Sequence, residues 1–143
     1  MKKGTYFFII ILMLFSLAGC RADDRVNNAK VTIGKSQKFS EEEIKDAIEC
    51  TKEKFEIFDG CTLTDIRYDE EKSNKLTQSY LEYGGGYEAG NTADNVVVLM
   101  SNFEVDSSGG DGSLEPNSTY TDWQWDLVKN IKTGKWEVVD WGY

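Results

Sequence analysis

The chain has 143 residues, with 25 Asp and Glu against 16 Lys and Arg, no His, and a net charge of −9. This acid excess speaks against nucleic acid, whose binders carry basic patches. The missing imidazole removes the commonest general base and metal ligand, so zinc hydrolysis and Ser–His–Asp or Cys–His catalysis are disfavoured, and the residues call for no metal or cofactor.

Met1-Lys2-Lys3 is a short basic stretch, Phe7 to Phe15 is an unbroken apolar run, and Ser16-Leu17-Ala18-Gly19-Cys20 leads into polar sequence. Basic, apolar and small segments in that order have the shape of a secretory signal. Nine unbroken apolar residues fall short of the ~20 that span a bilayer. Leu17-Ala18-Gly19-Cys20 resembles the bacterial lipobox, in which a diacylglycerol is attached to the Cys and the chain is cut just before it. The resemblance implies a signal over residues 1–19, a lipid on Cys20, and a protein held on the extracytoplasmic face of the cell membrane. Two acyl chains suffice for stable anchoring. Losing Lys2 and Lys3 from the 16 basic residues leaves 14 against 25 acids, a net charge of −11 on Cys20–Tyr143. That charge would keep the domain off an anionic surface. The remaining length suits one domain.

Residues 20–38 contain Asp23, Asp24, Asn27 and Asn28 and few large apolar side chains, and read as a flexible tether; a short edge strand over Val31-Thr32-Ile33 is the lesser alternative. Residues 39–143 read as a single domain. Ser40 with Glu43 makes a capping box, and Ile44, Ala47, Ile48, Thr51 and Phe55 follow helical spacing to about Ile57, where Asp59-Gly60 turns the chain. Thr62–Tyr68 reads as a strand, Asp69–Tyr83 as a weaker helix broken by Gly84-Gly85-Gly86, and Asn95–Asp106 as the strongest strand. Thr119–Val128 and Lys135–Trp141 form a hairpin around a Gly-containing loop. The fold class is α+β: a helix packed on a curved antiparallel sheet of about four strands.

This layout is similar to the cystatin-like and NTF2-like (nuclear transport factor 2-like) cone folds. "FDGCTLTDIRYDEE", "NVVVLMSNFEVDSSGGDGSLEPNSTYTDWQW" and "GKWEVVDWGY" resemble a group of small uncharacterised Firmicutes lipoproteins and domains of unknown function. The resemblance covers roughly residues 39–143 and implies no established activity. Acid–base catalysis in the NTF2-like superfamily uses an Asp in an apolar cone, helped by Tyr or a protonated Asp. Candidates are Asp65, Asp122, Asp126 and Asp140 with Tyr68, Tyr80 or Tyr83. Asp140 stands out because Val138, Val139 and Trp141 surround it, and burial would raise its pKa; the sequence leaves open whether it is buried, and acids on exposed strand faces are the commoner case.

Three further groups bear on function. The stretch Asp106–Trp125 is rich in Asp and Gly, yet it misses the EF-hand loop at its third, fifth and sixth positions. It also fails the Gly-Gly-x-Gly-x-Asp repeat of calcium-binding β-helices, so it reads as a long strand connection. An irregular oxygen site from Asp106, Asp111 and Glu115 is the alternative. Trp123, Trp125 and Leu127 share one strand face, and Val139 and Trp141 share another. A hairpin joining these faces builds an aromatic wall, either core or a surface where Trp123, Trp125, Trp141 and Asp140 contact a protein, peptide or glycan. Cys50 and Cys61 are spaced so that the helix and the returning strand can bring them together, and an extracytoplasmic location permits a disulfide. A bridge and two free thiols both remain open. The leading functional expectation is a lipid-anchored binding or interaction domain and not an enzyme. A small NTF2-like enzyme and a cystatin-like inhibitor or envelope accessory protein are the alternatives.

Overall fold

The computed structural model describes residues 23–143, so the signal, the lipobox-like motif and Cys20 lie outside the described residues. The elements are α1 (Asp24–Asn27), β1 (Lys30–Ile33), α2 (Glu41–Phe55), β2 (Cys61–Tyr68), α3 (Glu70–Tyr83), β3 (Val96–Val105), β4 (Thr119–Lys129) and β5 (Trp136–Gly142). They form an α+β fold with one five-stranded open sheet in the order β1-β2-β3-β4-β5. Every neighbouring pair is antiparallel except β1 with β2.

Local sequence accounts for the helix starts. Ser40 accepts from the Glu43 amide while the Glu43 side chain accepts from the Ser40 amide, closing the capping box of α2. Asp69 caps α3 through the Lys72 amide. The two helices lie on opposite faces of the sheet. Ile44, Ala47, Ile48 and Phe55 of α2 pack with Leu63, Ile66, Val97, Leu99, Phe103, Trp125 and Leu127 in the main core. Tyr80 and Leu81 of α3 cover Val96 and Val128 on the other face. Alternate residues of β3 feed the two sides, which explains its almost continuous burial.

One expectation is corrected and one open alternative is answered. Residues 23–38 are not a tether. Val26 of α1 is 1% exposed and belongs to the core, and Lys30–Ile33 pairs with Asp65–Tyr68, which makes the fifth strand. The Glu70 carboxylate then accepts from Ser36 Oγ, the Gln37 amide and the Lys38 amide at 2.8, 2.8 and 3.1 Å. One apolar anchor and one carboxylate more than thirty residues away hold this segment, and neither shows in its polar composition.

The open alternative concerns the cysteines, and of its two readings the unbridged one holds: Cys50 and Cys61 are both free thiols. Cys50 Sγ donates to the Trp136 carbonyl at the start of β5. Cys61 pairs with Val105, at the far end of the sheet and three strands away. A disulfide needs Cα atoms within roughly 7 Å. Burial pushes both thiols above the usual cysteine range. Adding a reductant is therefore expected to leave the thermal midpoint unchanged. A drop on reduction, of the size a roughly 2–3 kcal/mol bridge would give, contradicts this assignment.

Candidate functional site

One end of the sheet gathers aromatic side chains from four segments. Phe55 ends α2, and Phe58 stacks on it one turn later with ring centroids 5.3 Å apart. Phe58 then meets Trp125 at 5.5 Å and Trp141 at 6.3 Å, both edge to face. Such pairings add about 0.5–1.5 kcal/mol each beyond area burial. Trp125 and Trp141 are direct cross-strand partners, as the expected wall requires. Its composition differs in one place. A bulge leaves Val139 unpaired, so Val138 and not Val139 faces Leu127.

The three tryptophans have different environments. Trp125 is fully buried and donates through Nε1 to Ser101 Oγ at 2.8 Å. Trp123 is half-buried among Phe58, Phe103, Tyr120 and Tyr143, and its buried Nε1 has no acceptor among the described residues. Trp141 is 39% exposed, with Lys54 Nζ 4.8 Å from its ring centroid. Trp125 is thus core, and Trp141 is the member open to a partner.

Beside Trp141 lies a cleft of about 170 Å³, walled by Ile57, Phe58 and Leu114 and rimmed by Asp59, Asp111 and Ser113. It is smaller than the roughly 300–1,000 Å³ of drug-sized ligand pockets. Its far wall is the Asp106–Ser118 connection. The Asp106 amide donates to the Gly60 carbonyl, and the Asn117 amide closes the loop onto the Asp106 carbonyl. Gly60 has φ +67°, and a Cβ there would stand 2.6 Å from Asp106 Oδ1, so only glycine lets the α2–β2 turn seat against the loop. The Asp106 and Asp111 carboxylates each cap their own turn, on the Ser108 and Ser113 amides. Those bonds hold both acids below the ordinary carboxylate range. A larger depression of about 680 Å³ surrounds the β4–β5 hairpin, lined by Val128, Ile131 and Trp136 together with polar residues and Lys129, Lys132 and Lys135.

The acids left open by the sequence take different places. Asp140 is exposed. Its direct cross-strand partner Asp126 is the one held under the α3 side of the sheet, where burial and then the Asp140 charge push its carboxyl up to about 7. Cross-strand partners share a face, so the difference follows from position in the sheet: Asp126 lies on the inner strand β4 and Asp140 on the edge strand β5. Asp65 and Asp122 both pair with Arg67. Tyr68 faces Ser36, Tyr80 receives a long bond from Asn91, and Tyr83 is exposed. Neither depression includes Asp126 or Asp140 in its walls. Phe58, Leu114 and Asp59 were missed as site residues. The spacing of Phe58 three residues after Phe55 carries the signal for the first of them.

These features define an α+β domain with an aromatic, acid-rimmed end. No family model matches the chain, and comparisons with curated proteins and with solved structures likewise give no match. No helix among the described residues is long and apolar enough to cross a membrane.

Proposed function

We propose that the protein is a lipid-anchored, extracytoplasmic binding domain that meets its partner through the aromatic end of the sheet. The observation that carries this reading is the exposed Trp141 beside the cleft of Ile57, Phe58 and Leu114, an apolar surface open to solvent at the edge of the main core. The Leu17-Ala18-Gly19-Cys20 motif supports lipid attachment at Cys20. A long helix on one face of the sheet suits the cystatin-like and NTF2-like cone folds and the small Firmicutes lipoproteins that the sequence resembles. Incorporation of a palmitate analogue in cells is expected to depend on Cys20 and to vanish in Cys20→Ser. Absence of label from the wild type, or label that survives the substitution, overturns the anchoring.

One observation favours a second reading, a small NTF2-like enzyme. Asp126 has the raised pKa of a general base or acid and lies close enough to Tyr80 for its charge to act there. Its position under α3, away from both depressions, ranks this reading second.

A further inference from the structure

The corrected N-terminal segment determines what the aromatic end can meet. Because residues 23–38 are folded, the chain leaves the domain at Asp23 and not near residue 39. Asp23 lies at the aromatic end: its carboxylate binds Arg25, and Arg25 Nη1 donates to the Phe58 carbonyl at 3.3 Å. Only Arg21 and Ala22 separate Asp23 from Cys20. Three Cα–Cα steps reach at most about 11 Å.

We propose that the aromatic end, led by Ile57, Trp141 and Tyr143, rests on the lipid surface of the membrane to which Cys20 is attached. This rests on the lipid-anchored reading above and names the partner of the same site. Ile57, Trp141 and Tyr143 are 59%, 39% and 75% exposed, and Trp and Tyr suit the zone between headgroups and acyl chains. Exposure alone does not choose this end, because Tyr83, Tyr87 and Ile131 are exposed at the other. Covalent reach does choose it. The ten residues of β3 separate the two ends by roughly 33 Å at ~3.3 Å per residue, three times what the link to Cys20 spans. Charge sets the lipid preference. Asp23, Asp24, Asp59 and Asp111 outnumber Arg25 and Lys54 at this end, so neutral headgroups accept it more readily than anionic ones.

The test uses the full lipidated chain in phosphatidylcholine vesicles carrying dibromostearoyl chains, which quench tryptophan on contact. Wild-type fluorescence is expected to be quenched, and Trp141→Phe to lose most of that quenching with its thermal midpoint retained. Trp136→Phe, at the far end, is expected to keep it. Ile57→Glu reduces quenching, whereas Ile131→Glu leaves it unchanged. Equal quenching in wild type and Trp141→Phe overturns the proposal. So does stronger quenching with phosphatidylglycerol, which would place the Lys132–Lys135 hairpin on the bilayer. Either result with Cys20 still lipidated leaves the anchoring intact, while a chain without lipid on Cys20 removes the anchoring itself.

Discussion

Replacing Trp125 with Ala is expected to lower the unfolding free energy by about 3–5 kcal/mol, as for other large-to-small changes at filled core sites. Trp125 is the largest fully buried side chain. It touches Phe55, Phe58 and Trp141 at centroid distances of 6.2, 5.5 and 6.3 Å, so truncation opens a cavity that stiff aromatic neighbours cannot close. It also strands the Ser101 hydroxyl, itself fully buried, without its indole partner. A domain of this size has roughly 5–15 kcal/mol in total, so the variant stands near the folding threshold. Trp125→Phe keeps much of the volume but loses the hydrogen bond, for an intermediate cost of about 1–3 kcal/mol. Trp141→Ala, two strand positions from the chain end and partly in solvent, should cost about 1 kcal/mol or less. Urea denaturation of the three variants measures the contrast. Equal losses at Trp125 and Trp141 would contradict the division of the aromatic wall into core and surface.

The second large effect is one of pH. Asp126 has its folded-state carboxyl raised from the ordinary 3.8 to about 7 by burial first and by Asp140 second, with no cation or hydrogen-bond donor offsetting either. Below the unfolded value both states are protonated and the pair costs nothing. Between pH ~4 and ~7 the unfolded chain is ionised while the folded one keeps its proton, so stability falls by up to about 1.4 kcal/mol per pH unit from this group. Above pH 7 the full cost is present and constant, about 2–4 kcal/mol. Asp126→Asn removes the charge and keeps the shape. It is expected to stabilise the protein by about 2–4 kcal/mol at pH 8 and to change it little at pH 4. Asp140→Asn should recover only the smaller, like-charge part. Equal effects of Asp126→Asn at both pH values would show that the carboxyl is not titrating in this window.

Much of the fold was legible because local rules and tertiary packing agree. The capping box at Ser40 and the alternation in β3, β4 and β5 place α2 and these strands to within a residue or two. What was not legible depends on non-local contacts. The β1 segment reads as linker because its partners, β2 and Glu70, lie more than thirty residues away. Whether Asp126 or Asp140 is covered depends on the places of their strands, β4 inside the sheet and β5 at its edge, which the alternation along either strand does not report. The choice between a bridge and free thiols was not legible for a related reason. Cys50 faces β5, the last strand added, and nothing in the spacing to Cys61 reports that. At the site, the tryptophans were found but their division into buried and open was not, since burial depends on Phe58 and the returning loop.

The most direct measurement is neutron reflectometry of the lipidated chain on a supported phosphatidylcholine bilayer. A flexible linker of about eighteen residues would hold the domain off by roughly 20–25 Å on average. A folded segment starting at Asp23 leaves at most about 11 Å. The account predicts protein density that begins at the headgroup boundary, with the aromatic end innermost. A hydrated gap of two or more nanometres between lipid and protein would contradict it.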